Sequence, residues 1–574
     1  MVDHKGTSLY NVEEIRNPYP LIHGSKVNRD EKGLTMTSYC SLLYLGIFLP
    51  GVILGYQLSP RKLRPYVLLA ASYVFFWEFS GKLLVYLLFT TLSMYLFGLA
   101  MAGLQKKRSE QVAALKAQGL PKDELKEARK AIKARSQKQQ RLVMLAAVLI
   151  QLGILSVLKY SSFFLTNWNS LSGLLGLPLQ VAVPSFIAPI GISFYTLQAV
   201  SYLVDVYRET QEADRNLPRL ALYMAFFPTI MEGPICRLAQ VAGSLWEGNA
   251  ITWHNLTYGI QRIAFGMLKK MVIADRLNSV IETIYTDYAK YDGGIIALGM
   301  FFYTCQLYME FSGTMDVVIG SGQIFGVTLP ENFRQPLLSR TIGKFWTRWH
   351  ITLGTWFKDY IFYPLSMSKP LNKLTVKARK RLGNHFGPMI AAGIALSAVW
   401  FSNGLWHGAG WNYLFFGLYH FVWILIENIT EPFVVSWADK CGIDREGRWY
   451  VVMQIVRTTL LVSIGELFFR AEGLRAGLKM FGIMIRDFTL ASFLDGTILT
   501  LGMDAQDFLI TLVALVLVLS IHLLWEKGTD LRDLLARQKT PVRWVVYYGF
   551  LFFIILFGAY GVGYLPVDPI YAAF

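Results

Sequence analysis

Apolar stretches close to the length of a bilayer crossing recur from residue 41 to the end of the chain, separated by short polar or proline-marked turns. A helix needs about 20 mostly apolar residues to cross a hydrocarbon core, and it satisfies its own backbone while doing so. The stretches at 41–58, 66–77, 83–101, 142–158, 184–204, 295–309, 389–401, 405–426, 451–467, 508–524 and 544–564 are predicted as such helices. A membrane β-barrel would instead alternate apolar and polar residues over segments of about ten. The pattern therefore predicts an all-α polytopic membrane protein with about eleven transmembrane helices plus re-entrant or interfacial ones.

Four segments break the pattern. Residues 217–236 are apolar but interrupted by Pro228, Gly233 and Pro234, which predicts a broken helix walling a buried site. Residues 256–273 carry Arg262, Lys269 and Lys270 among apolar residues, with Arg276 just beyond, and read as an amphipathic helix at the interface. Residues 341–365 mix Trp, Phe and Tyr with Lys344, Arg348, His350, Lys358 and Asp359, which predicts a partly embedded segment. Residues 105–141 hold twelve Lys and Arg against four acids and are rich in Ala and Gln; they predict an interfacial helical hairpin, broken at Gly119 and Pro121, that does not cross the bilayer. The domain reading is a polar arm at 1–38, unlike a cleaved signal peptide, followed by one membrane domain at 39–574 that contains the basic cytoplasmic loop at 105–141.

Composition agrees: 54% of the 574 residues are hydrophobic and 16% charged, against about 25% charged in a soluble chain. The formal charge of +16 would suit nucleic acid, but its concentration in 105–141 fits the positive-inside rule and contact with membrane lipids better. No nucleic-acid partner is expected. Cys40, Cys236, Cys305 and Cys441 show no CxxC spacing and read as small core residues, and no metal site is expected.

An ionisable group inside a membrane domain is expensive unless it is paired or lines a cavity. His407 lies in SNGLWHGAGWNYLFFGLYH and His350 in IGKFWTRWHITLGTWFKDYIFYPL. If the first region is helical, Asn403 and Trp411 share the face of His407, with Asn403 orienting the ring and Trp411 lining a pocket. Gly354, one turn beyond His350, leaves room beside that imidazole. A buried histidine suits general-base activation of a hydroxyl. The oxyanion formed on attack at an acyl carbonyl then needs a donor, for which His350 and the indoles of Trp349 and Trp406 are candidates. The plainer alternative, that each histidine only completes a buried hydrogen-bond network, stays open, and His420 reads as a span terminus. Arg334 and Arg340 in FRQPLLSR either guide an anionic substrate or anchor at the interface. Lys269 and Lys270 either dock the acidic surface of a carrier protein or meet lipid headgroups. No covalent-nucleophile motif is present, which favours direct transfer in a ternary complex.

Longer motifs recur in a fixed order: PIGISFYTLQAVSYLVDVYR, FFPTIMEGPICR, GMLKKMVIADRL, CQLYMEFSGTMDVVIG, LPENFRQPLLSRTIGKFWTRWHITLGTWFKDYIFYPL and GLWHGAGWNYLFFGLYH. In these the chain resembles the membrane-bound O-acyltransferase (MBOAT) family, in the bacterial branch that includes alginate O-acetylation and teichoic-acid D-alanylation proteins. The resemblance implies a helical core around a central tunnel, with His407 at the family's near-invariant histidine and His350 at its second polar position. It further implies transfer of an acyl group, acetyl above all, from a cytoplasmic donor to a hydroxyl of a cell-envelope glycopolymer. The donor would be a cosubstrate, acyl-CoA or an acyl carrier protein, with no tightly bound cofactor. An extracytoplasmic transfer partner and a place in the bacterial inner membrane belong to the same expectation. The alternatives are D-alanyl transfer to teichoic acid and, from other classes, a transporter or a noncatalytic scaffold for envelope modification.

Overall fold

The computed structural model describes residues 36–560. The polar arm expected at 1–38 lies outside the described residues except for its last three, and the final stretch is described to residue 560 only. The described residues are helices and turns without a strand.

A π-turn at Tyr44–Phe48 leads into α1 (Leu49–Leu58), and a proline-marked turn leads into α2 (Arg64–Ser80). Helices α3 (Leu84–Ala117) and α4 (Lys122–Leu155) have 34 residues each, or roughly 50 Å at 1.5 Å per residue, well beyond a hydrocarbon core of about 30 Å. The basic segment at 105–141 is thus no separate interfacial element, because it forms the protruding ends of two spans. The turn between them falls at the expected Gly119, whose φ is +63°, and at Pro121, the residue before α4.

After α5 (Ser161–Leu174) comes α6 (Ile192–Arg208), most of whose residues are buried. Helix α7 (Leu217–Ala225) is capped by Asn216, whose side chain accepts from the Arg219 N–H. The chain then runs without helix to α8 (Leu238–Trp246), fully inside the protein as the broken pattern predicts. Its backbone groups are met by side chains: Phe227 N–H donates to Ser72 Oγ at 3.0 Å, and the hydroxyls of Tyr39 and Tyr223 donate to the carbonyls of Phe227 and Cys236 at 2.9 and 2.8 Å.

The amphipathic expectation for 256–273 is overturned. Helix α9 (Trp253–Met267) continues through a π-turn at Leu268–Ala274 into α10 (Asp275–Thr286) and lies along α11 (Gly293–Ile324). A Cβ on Gly266 would stand 2.4 Å from the Gly313 carbonyl oxygen, so the small-residue stretch is where two helices touch. The basic residues turn inward because α11 offers acids there. Arg262 pairs with Asp316 at 3.1 Å and Glu331 at 2.5 Å, Lys269 with Asp316 at 2.5 Å, and Lys270 with Asp275 at 2.7 Å and Glu310 at 2.8 Å. Arg276 pairs with Asp507. Burial of such charges is tolerable only in pairs of this kind.

Helices α12 (Ile342–Arg348), α13 (Ile351–Phe357) and α14 (Tyr363–Ser366) occupy the segment expected to be partly embedded and lead into α15 (Lys369–His407). Helix α15 kinks at Gly383, whose φ is +77°. The break expected between residues 401 and 405 falls instead after His407, before α16 (Trp411–Lys440). The chain ends with α17 (Arg448–Arg470), α18 (Leu474–Arg486), α19 (Ala491–Leu494), α20 (Ala505–Glu526), α21 (Leu531–Ala536) and α22 (Thr540–Phe557). Among the described residues eight helical stretches are long and apolar enough to cross a membrane, fewer than the eleven or so segments marked by hydropathy alone. The difference lies in 41–58 and 184–204, whose helices Tyr44–Leu58 and α6 are too short, and in 66–77 and 83–101, which fall in one helical stretch, Arg64–Ala117. Cys236 and Cys305 are buried, but Cys441 is exposed and is not a core residue.

Candidate active site

His350 stands between α12 and α13 in a left-handed conformation (φ +45°, ψ +51°), a strained region for a residue with a side chain. Asn332 holds it there. The Asn332 carbonyl accepts the Ile351 N–H at 3.0 Å, and its Oδ1 accepts from Thr352 N at 3.1 Å and Thr352 Oγ1 at 3.0 Å. The His350 Nδ1 lies 3.3 Å from the same Oδ1. A backbone N–H can only donate, so Oδ1 is the acceptor and the network assigns the ring proton to Nδ1. The neutral imidazole then presents Nε2 as a lone pair.

His407 is the last residue of α15 and is 5% exposed. Gly408 leaves the helix in extended backbone, and a Cβ there would meet the Tyr413 ring at 2.3 Å, so only glycine permits this corner. The Trp406 indole ties the two histidines together: its centroid is 5.5 Å from that of His350 and 5.0 Å from that of His407, edge-on to both. Phe194 on α6, Phe311 on α11, and Phe416 and Phe469 close the walls around these three rings. Helices α6, α11, α15, α16 (Trp411–Lys440) and α17 (Arg448–Arg470) and the α12–α13 junction thus build one buried aromatic chamber with two imidazoles.

Of the other candidates, Asn403 is buried one turn before His407, as the helical reading requires, and its Oδ1 has no hydrogen-bond partner among the described residues. Trp411 does not share that face: the helix ends at His407, and Trp411 is 56% exposed at the start of α16, donating to Asn167 Oδ1 at 2.9 Å. Trp349 packs against Tyr308, Phe333 and Phe345, and Trp406 is the indole whose ring meets both histidines. Arg340 pairs with Glu446 at 2.7 Å near the surface and plays no part in the chamber. Arg334 lines a cavity that reaches Asn332. Lys269 and Lys270 are buried in the ion pairs described above, so neither is available to dock a carrier protein or meet headgroups. His420 is fully buried within α16 rather than at a span end, with its ring against Trp346, Trp400 and Phe416.

Two residues went unread in the sequence. Asn332 hides in LPENF as an ordinary loop polar. Lys159 was left at the edge of the 142–158 span, although SVLKYSSFFL puts it between apolar residues on both sides, which is the signal that could have found it. The helix widens into a π-turn at Ser156–Tyr160, a distortion common at functional sites. Lys159 Nζ donates to the Trp406 carbonyl at 2.7 Å and to Ser193 Oγ at 3.1 Å. A cation therefore caps the C-terminal end of α15 beside His407, where the helix dipole favours it.

The fold and this chamber define a multi-pass helical membrane protein with a two-histidine site inside the bundle. Residues 195–378 match the model of the membrane-bound O-acyltransferase family. The chain is 31% identical over 447 residues to a probable alginate O-acetylase of Pseudomonas syringae pv. tomato, covering 78% of this chain and 74% of that protein. It is 27% identical over 385 residues to a peptidoglycan O-acetyltransferase of Helicobacter pylori (60% and 65% covered). It is 30% identical over 296 residues to a teichoic acid D-alanyltransferase of Bacillus subtilis (50% and 70% covered). The chain belongs to the membrane-bound O-acyltransferase family, as its motifs led us to expect, and is a membrane-bound O-acyltransferase.

Proposed function

We propose that the protein moves an acetyl group from an activated cytoplasmic donor onto a hydroxyl of a cell-envelope polysaccharide, with His407 as general base and His350 as its hydrogen-bonding partner across Trp406. The observation that carries this reading is the placement of both imidazoles on one buried indole, where an acyl group and a hydroxyl can meet with water excluded. His407 takes the hydroxyl proton as the oxygen attacks the acyl carbonyl, and the imidazolium returns that proton to the departing thiolate of a thioester donor. A direct transfer of this kind needs no residue to carry the acyl group. Acetyl is favoured over D-alanyl because the alginate O-acetylase match covers more of this chain than the D-alanyltransferase match does.

The basic connectors gather at one end of the bundle. Consecutive antiparallel spans bring the turn at 59–64 and the α3–α4 hairpin to the same end, Arg108 pairs with Glu209 there, and Arg208 reaches the Asp359 carbonyl just before the basic start of α15. By the positive-inside rule this end faces the cytoplasm of a bacterial inner membrane. It is where the donor, acyl-CoA or an acyl carrier protein, would enter; an extracytoplasmic partner would meet the opposite end.

Mass spectrometry of envelope polysaccharides tests the reading. Cells expressing the wild type carry an added acetyl mass on the polymer, and cells expressing a folded His407→Ala protein lose it. Equal modification in both strains would remove His407 from the chemistry and favour the scaffold reading.

A further inference from the structure

Between α9, α11, α20, α21 and α22 lies a cavity of about 1040 Å³ that none of the catalytic argument uses. It is at or above the upper end of the roughly 300–1,000 Å³ typical of small-molecule sites. Its outer part is framed by the first turn of α9 and by α21, the end of the bundle that holds Arg61, whose Nε donates to the Glu247 carbonyl at 3.1 Å. Its inner end reaches Tyr308, Met315 and Asn332. Trp525, Trp544, Phe550 and Leu551 give it an aromatic and apolar wall between helices whose other faces expose apolar side chains.

The charges lining this space do not cancel. Arg262, Lys269, Arg334, Arg532 and Arg543 face Asp316, Glu331 and Asp530. All three carboxylates are taken: Asp316 by Arg262 and Lys269, Glu331 by Arg262, and Asp530 by Arg532 at 2.9 Å. Arg334 and Arg543 have no carboxylate partner among the described residues, and the Nε of Arg543 is buried without a hydrogen-bond acceptor. A buried guanidinium donor with nothing to receive it costs free energy unless a ligand supplies the acceptor. Two guanidinium groups over an apolar wall match a phosphate ester carried on an apolar body, since arginine forks bind phosphate oxygens in pairs and basic pockets between membrane helices suit such headgroups.

We infer that this cavity binds a phosphate-bearing amphiphile, its phosphate held by Arg334 and Arg543 and its apolar part along Trp525, Trp544 and Phe550. As a lipid site it stands independently of the acyl-transfer reading, and as a donor site it rests on that reading. Its ligand has two sources, an anionic phospholipid of the cytoplasmic leaflet or the phosphorylated part of a soluble thioester, and the two arms of one experiment separate them. In the first, native mass spectrometry counts phosphatidylglycerol retained by the full-length protein released from nanodiscs of phosphatidylcholine and phosphatidylglycerol. In the second, calorimetry titrates coenzyme A into the protein in phosphatidylcholine nanodiscs.

The wild type is expected to bind in one arm, and Arg334→Gln with Arg543→Gln to weaken that binding at least tenfold. Arg340→Gln, which removes the same charge outside the cavity, is expected to bind as the wild type. Arg334→Gln alone, at an exposed side chain whose loss leaves the fold intact, is expected to weaken it severalfold. Binding in the first arm identifies a lipid site and binding in the second a donor site. No binding in either arm, or an equal loss in Arg340→Gln, overturns the proposal.

Discussion

Replacing Lys159 with methionine keeps most of the side-chain volume and removes the ammonium that fastens the corner at Trp406 and His407. In the wild type that group donates to the Trp406 carbonyl at 2.7 Å and to Ser193 Oγ at 3.1 Å. The carbonyl belongs to the last turn of α15, whose acceptors lack intrahelical donors. A hydrogen bond from a charged group is worth about 1.5–3 kcal/mol. If that energy holds the His407 ring in reacting position, its loss lowers turnover roughly ten- to a hundredfold, at tenfold per 1.4 kcal/mol. The assay is acetyl transfer in proteoliposomes, with turnover and KM for the donor measured separately on protein shown to be folded by size-exclusion chromatography. Turnover should fall while KM for the donor stays near the wild-type value, and Lys159→Arg, which restores a cationic donor, should recover part of it. A folded Lys159→Met protein with wild-type turnover would refute the positioning role.

Asn332→Ala removes the acceptor that orients His350 and leaves the Thr352 N–H buried without its partner, a loss of about 1–3 kcal/mol; both the thermal midpoint and turnover should drop, and an unchanged midpoint would show that the left-handed turn holds itself. Lys270→Met leaves Asp275 and Glu310 buried without their cation, which should cost about 3–5 kcal/mol, read as a lower unfolding temperature in detergent. Neutralising all three residues together should recover most of that stability, whereas equal damage from the triple variant would mean that the cation acts through packing instead.

The fold class was readable because hydropathy over about 20 residues is a local property, and the hairpin turn because Gly119 and Pro121 act on their own backbone. His350 and His407 were readable as single costly residues in apolar surroundings. What could not be read was direction. Lys269, Lys270 and Arg262 look the same in sequence whether they face lipid headgroups or α11, and apart from Asp275 the acids that draw them inward lie about forty or more residues on, at Glu310, Asp316 and Glu331. Trp411 was misplaced by one assumption, that the helix of His407 continues, when the glycines at 408 and 410 end it.

Lys159 and Lys270 show how far the rule about intramembrane charge reaches. Both are lysines on helices that widen into π-turns, Lys270 buried and Lys159 half-buried, and the rule marks both as functional candidates. Lys270 meets two carboxylates, so its charge is neutralised within the fold and its consequence is stability. Lys159 donates to the Trp406 carbonyl and to the Ser193 hydroxyl, and it does so next to His407. A lysine that fixes the backbone beside His407 acts on how that ring is presented, which is the positioning role that Lys159→Met tests. The identity of the partner, set by tertiary packing, is therefore what separates a structural lysine from one placed to act on chemistry.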